Sequence, residues 1–217
     1  MPSATTQLTD MAQWSHHFAR EILLPGDLAV DLTAGRGHDC LFLAECVDSN
    51  HTGCVLAFDI QAEAIASSLE RLENNGITAS CISRPQQIAA PGTFLINASH
   101  ERLPLFLPRP PKVILGNLGY LPGGDHSVTT RADSSLGMTK AALEELQPGG
   151  RLILVVYTGH AGAQEESDTL TTYLGTLHPR HWHIITMRPF LCKNAPYLLV
   201  AEKRQQPATV RDRLLQR

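Results

Sequence analysis

A chain of 217 residues, 43% hydrophobic and 18% charged, has the composition of a globular protein, and its length fits one domain with a sizeable core. The formal net charge of -3 excludes a strongly basic nucleic-acid coat but leaves room for a local basic patch. Five cysteines without a CxxC pair, no apolar run of ~20 residues and no signal-type N-terminus exclude, as expectations, a disulfide framework, a metal site and a membrane span.

The cytoplasm is therefore the expected location. Thr9 to Leu24 carries Met11, Trp14, Phe18 and Ile22 at helical spacing, with Thr9 or Asp10 as its cap and Pro25-Gly26-Asp27 as its stop. His16 and His17 within it read as a solvent-facing or partly packed pair, since neighbouring positions on a helix diverge too far to clamp a metal.

Leu28 to Asp39, LAVDLTAGRGHD, is the stretch around which the chain is organised. An aliphatic strand ends near Asp31, a turn of small residues follows (Thr33 to Gly37, with one Arg), and a helix begins at His38. A strand, a glycine turn and a helix in that order form a nucleotide-type site, because glycines admit a ligand close to the backbone and the helix start offers free N–H groups.

Cys54 to Phe58 reads as a second buried strand ending at Asp59, and Gln61 to Asn75 as a helix closed by Asn74-Asn75-Gly76. Residues 77–91, punctuated by Arg84-Pro85 and Ala90-Pro91-Gly92, read either as a strand or as an irregular insertion. Strands follow at 93–97 and 112–116, then a glycine-rich loop from Asn117 to His126, a helix from about Ser134 to Leu146 and a strand from Arg151 to Tyr157. A helix over 164–177 precedes closing strands at 182–190 and 197–202.

Strands alternating with helices imply a parallel sheet covered on both faces. The link 191–196 is too short for a parallel crossover, so the last two strands are antiparallel. The expected fold is α/β, a Rossmann-like sheet of seven strands, mostly parallel, with one antiparallel strand near its edge. The expected organisation is a single domain over 1–217, with an N-terminal helix in 1–26, a core over 27–204 and a tail over 205–217.

Two features narrow the ligand. The dinucleotide fingerprint G-x-G-x-x-G has Cys40 at its third glycine, which argues against a nicotinamide-dependent oxidoreductase. Asp31, Asp39 and Asp59 give the turn an acidic mouth against one Arg36, which disfavours a pyrophosphate and favours a sulfonium bearing an α-amino group. S-adenosylmethionine fits that balance. An acid at the tip of the second strand also suits ribose hydroxyls, although Asp59 has an alternative use in capping the helix after it.

Asn117-Leu118-Gly119-Tyr120 follows the strand 112–116 at the position where amino-group methyltransferases place an Asn-Pro-Pro-Tyr type tetrad. Asn117 and Tyr120 keep its polar ends: carbonyl oxygens accept from the target N–H while the ring stacks on the acceptor. The alternative use is a turn with a core-facing Tyr.

Together VDLTAGRGHDCLFLAE, FDIQ, ASHE, NLGYLPGGDHSVTT, QPGGRLILVVYTGH and KNAPYLLVAEK resemble the MnmM/YtqB group of class I methyltransferases, over nearly all of Leu28 to Lys203. The resemblance implies methylation of the 5-aminomethyl group on wobble 2-thiouridine of tRNA, with S-adenosylmethionine as donor. It implies that Arg36, Gly37 and Asp39 hold the methionine part of the donor. It places Asp59 and Gln61 at the ribose and adenine, Ser99 and His100 near the adenine or sulfonium side, and Asn117 and Tyr120 at the acceptor amine. The group commonly has Asn at Arg36 and Lys at His126, and residues 78–91 look inserted.

The acceptor amine must lose a proton before attack, and Asp31, Asp125, His126 and His160 are candidates to take it. Arg131 and Lys140, then Arg180, His181, His183, Arg188 and Lys193, then Lys203, Arg204, Arg211, Arg213 and Arg217, are either RNA contacts or ordinary solvated charge. The expected partner is a tRNA anticodon loop, read by one domain or by a homodimer. A small amine or another RNA base as acceptor, and a non-catalytic donor-binding module, are the rival readings.

Overall fold

The computed structural model describes residues 7–84, 88, 91–119, 132–159, 162–192 and 194–205. In chain order the elements are α1 (Met11–Arg20), β1 (Leu28–Asp31), α2 (His38–Val47), β2 (Cys54–Asp59), α3 (Ala62–Asn74), β3 (Ala79–Ile82) and β4 (Gly92–Asn97). A short 3-10 helix (His100–Leu105) leads to β5 (Val113–Leu118), α4 (Ala132–Glu145), β6 (Arg151–Val156), α5 (Ala163–Gly175), β7 (Trp182–Met187) and β8 (Tyr197–Lys203).

Among the described residues the strands form one sheet in the order β3-β4-β2-β1-β5-β6-β8-β7. Neighbours from β3 to β6 run parallel, while β8 is antiparallel to both β6 and β7. The one reversed strand is thus β8, a single place in from the edge. The Rossmann-like α/β architecture read from the sequence is the fold, with a correction of seven strands to eight. The eighth strand, β3, lies within residues 77–91, where the sequence leaves strand and insertion open, and is a four-residue edge strand whose Ser80 and Cys81 face solvent. It therefore lacks the apolar run that marks the buried strands.

The central strands are apolar on both faces because helices cover both. Leu28 and Val30 of β1 enter the core shared with Met138, Leu143 and Leu170 of α4 and α5. Ala29, pointing the other way, enters the core shared with Met11, Phe42 and Leu72 of α1, α2 and α3. Asp10 caps α1 by accepting the Gln13 N–H at 3.0 Å.

Two boundaries differ from the sequence reading. β5 runs two residues further, because Asn117 and Leu118 pair with Val155 and Val156 of β6. Asn117 accordingly stands on a strand end, not on a loop. β7 stops at Met187, three residues short, and Phe190 beyond it is 97% exposed.

No described helix is long and apolar enough to cross a membrane.

Candidate active site

β1 lies between β2 and β5, where the strand order reverses, and the crevice at the carboxyl edge of such a switch point is the ligand position of open α/β sheets. Asp31 is level with Ala57 of β2 and Leu115 of β5. Asp59 and Asn117 are two residues beyond those partners, so they flank the turn after β1 on the same face of the sheet.

The turn is fixed mainly by backbone. The Ala34 N–H donates to the Phe58 carbonyl at 2.8 Å, and the Gly37 N–H to the Ala34 carbonyl at 2.7 Å. Gly37 sits at φ +76°, and a Cβ there would stand 2.8 Å from the Ser68 Cα on α3. Glycine is required twice over: by the left-handed backbone and by the close approach of α3. Ser68, fully buried, faces the Ala34 and Gly35 carbonyls at 3.4 and 3.3 Å. The Arg36 carbonyl accepts from Arg71 Nε at 2.6 Å, while the Arg36 side chain is exposed.

Asp59 uses both oxygens on the backbone. Oδ2 accepts the Gly35 N–H at 3.0 Å and Oδ1 the Gln61 N–H at 2.9 Å. The carboxylate thus ties the glycine turn to the start of α3, so its capping use is real, and each oxygen retains a further lone pair for a hydroxyl. Ile60, between Asp59 and Gln61, is 60% exposed at the same edge. It offers an apolar face that reading the charged and glycine positions alone overlooked.

Asp31 is fully buried, and its Oδ1 accepts the Thr33 N–H at 3.0 Å. Burial first, then the Asp39 carboxylate, pushes the Asp31 carboxyl well above its ordinary range, against the Thr33 and Cys40 N–H groups that favour the charged form. Its Oδ2 has no hydrogen-bond partner among the described residues.

Asp39, in the first turn of α2, joins three elements. Its Oδ1 is 2.6 Å from His16 Nε2 on α1, and its Oδ2 accepts from Asn117 Nδ2 on β5 at 2.5 Å. The His16 ring lies flat on Phe42, centroids 3.8 Å apart with an interplanar angle of 2°. The Asn117 N–H donates to Thr33 Oγ1 at 2.8 Å, carrying the β1–β5 pairing past the end of β1. The sequence singled out Asp39 and Asn117 separately. It held no sign of their contact, nor of His16, whose partner is 23 residues away on another helix.

On the β4 side, Ser99 Oγ accepts the Glu101 N–H at 3.3 Å and caps the 3-10 helix. The His100 imidazole is pulled below its ordinary range by burial, and its Nε2 is enclosed without a partner among the described residues. Deeper on that side, Ser135 of α4 donates to the buried Glu166 of α5. Tyr120, Asp125, His126, Arg131, His160, Lys193 and the tail arginines lie outside the described residues.

Several basic residues considered for RNA have structural partners. Lys203 Nζ donates to the Glu144 and Leu146 carbonyls at 3.0 and 2.7 Å, closing the carboxyl end of α4. The Arg188 guanidinium lies 3.4 Å from the Tyr197 ring centroid, and Arg204 donates to the Pro179 carbonyl at 3.1 Å. Arg180, His181 and His183 are exposed. Among the described residues no group of three or more His, Cys, Asp or Glu side chains could hold a metal ion.

A switch-point crevice with a glycine turn and an acid at the tip of β2 is the nucleotide-type site of Rossmann-like folds, the class I methyltransferases among them. The chain matches, over residues 55–203, the family described as "Putative rRNA methylase", and it belongs to that family. It is 32% identical over 196 residues to the Arabidopsis thaliana chloroplastic tRNA (mnm(5)s(2)U34)-methyltransferase, covering 88% of this chain and 68% of that one. A Clostridium thermocellum protein carrying the family's description superposes with a TM-score of 0.81 at 29% identity, over 92% of this chain and all of that one. A Streptococcus mutans protein solved in complex with SAH superposes with a TM-score of 0.74 at 29% identity, over 88% of this chain and 97% of that one. The chain is an S-adenosylmethionine-dependent methyltransferase.

The site fits that donor on its own terms. The glycine turn admits a close approach, Asp59 has lone pairs to spare beside the exposed Ile60, and Asp31 and His100 hold enclosed polar atoms without partners among the described residues.

Proposed function

We propose that this enzyme methylates the 5-aminomethyl group of wobble 2-thiouridine in tRNA, working on the anticodon loop in the cytoplasm. The observation that carries the reading is the Asn117 amide. Its NH2 is turned to Asp39, so its carbonyl oxygen is left to accept from an N–H of the acceptor. The Arabidopsis relative, a tRNA (mnm(5)s(2)U34)-methyltransferase, supports the choice of amine.

Arg36, Gly37 and Asp39 would hold the methionine part of the donor, Asp59, Ile60 and Gln61 the ribose and adenine, and Ser99 and His100 the neighbouring wall. The bound donor supplies a methyl group on a positively charged sulfur, open to in-line attack by a neutral amine. Asn117 orients the amine through its carbonyl oxygen, and Tyr120 gives a stacking surface for the base. Positioning of this kind is worth a large part of a two-reactant barrier.

The acidic face of the site suits a cationic donor and a cationic amine, so phosphate contacts are left to the exposed Arg180, His181 and His183. Ile185 on the edge strand β7, with Phe190 and Leu191 just beyond it, makes an exposed apolar edge that supports a homodimer. The test is nucleoside analysis of tRNA from a deletion strain. Loss of the methylated wobble nucleoside with accumulation of its 5-aminomethyl precursor is expected, and an unchanged methylation level would refute the reading.

A further inference from the structure

We infer that His16 is a positioning residue for methyl transfer, acting through Asp39 to lock the Asn117 amide in its working orientation. The inference rests on the reading of Asn117 as the group that accepts from the acceptor amine. A carboxylate can only accept hydrogen bonds, so the contact at 2.5 Å requires that Asn117 present its NH2 to Asp39 Oδ2. The amide flip is thereby fixed, and Oδ1 faces away from Asp39.

What fixes Asp39 is His16. Its Nε2 donates to Oδ1 at 2.6 Å, so both oxygens are bridged, one to each neighbouring element. The His16 ring is itself held by its stack on Phe42, one turn along α2 from Asp39, and the Arg20 guanidinium lies 5.1 Å from the same Phe42 centroid. Asp39 is largely buried, with 11% of its side chain exposed against 29% for His16. Without the imidazole, one carboxylate oxygen would be left in a poorly hydrated place. The side chain would then be free to turn, and the amide with it. The N-terminal helix thus reaches into the site by one side chain.

A role confined to anchoring α1 would be served by the stack on Phe42 alone, and this separates the two. His16→Phe keeps an aromatic ring on Phe42 and removes the donor; His16→Gln returns an N–H donor. In single-turnover methyl transfer to undermodified tRNA at saturating S-adenosylmethionine, H16F is expected to be slower by about tenfold or more. H16Q is expected to recover most of the rate.

The Asn117 NH2 signal in a 15N-edited spectrum, assigned by its disappearance in N117A, reads the lock without any substrate. A widely split, exchange-protected pair is expected in wild type and H16Q, and a collapsed, fast-exchanging pair in H16F. Unchanged NH2 signals in folded H16F, or a full transfer rate in H16F, would overturn the inference. A wild-type enzyme inactive on tRNA would sink the substrate reading, and the NH2 signal would still decide this one.

Discussion

Replacing Asn117 by Asp changes one nitrogen to oxygen and puts a second carboxylate where Nδ2 now sits 2.5 Å from Asp39 Oδ2. With charge centres ~4 Å apart and an effective dielectric of ~20, two ionised groups there repel by about 4 kcal/mol. The pair instead shares one proton, so its folded-state affinity for that proton lies above that of an unfolded Asp. A carboxyl raised in the folded state contributes stability below its unfolded value that is lost as pH rises through the folded one. The limiting slope is about 1.4 kcal/mol per pH unit. Between about pH 5 and about pH 7, N117D is therefore expected to lose up to ~2.7 kcal/mol relative to wild type, or roughly 5–10 °C in Tm for a domain of this size. Thermal melts of both proteins across that range, followed by circular dichroism, measure the difference directly. Parallel curves would mean that Asn117 does not face Asp39, and the amide orientation on which the site is built would be wrong.

Gly37→Ala meets both a left-handed φ and the Ser68 Cα, a backbone-linked atom that cannot swing aside. A loss of at least ~1–2 kcal/mol of stability is expected by thermal melting, together with weakened S-adenosylhomocysteine binding by calorimetry; a neutral G37A would contradict the turn geometry. Asp31→Asn keeps the acceptor for the Thr33 N–H and removes a charge that burial and Asp39 both disfavour. Since the raised carboxyl costs stability as pH rises, D31N is expected to melt at least ~2 °C above wild type near neutral pH and to match it near pH 4. An unchanged melting point near neutral pH would mean that Asp31 is not held against its charge. Asp59→Asn leaves one of the Gly35 and Gln61 N–H groups facing an NH2, and donor affinity is expected to fall about tenfold or more in calorimetry. Undiminished affinity would remove Asp59 from the donor site.

The readable parts of this chain are those set by local chemistry. α2 runs from His38 to Val47 as its flanking residues dictate: Gly37 enters at positive φ, and Asp48 leaves at φ 55°. Asp59 announced itself as an acid at a strand tip, and its two backbone contacts show why an acid there has a folding role as well. The parts that were not readable depend on neighbours far off in sequence. β5 extends through Asn117 because β6 offers Val155 and Val156 opposite, which no local pattern reveals. β3 is half-exposed and polar on one side, so its strand character comes from pairing with β4 alone. His16 reads as solvent-facing or partly packed on an amphipathic helix, and its partners Asp39 and Phe42 emerge only when α2 packs against it.

Methyl transfer to a wobble-uridine amine of tRNA can be followed with purified enzyme, methyl-labelled S-adenosylmethionine and undermodified tRNA, with digestion and mass analysis of the nucleosides. Conversion of 5-aminomethyl-2-thiouridine to its N-methylated form is expected, abolished by Asn117→Ala in a protein that still binds S-adenosylhomocysteine. Label on another nucleoside, or none in the tRNA, would contradict it.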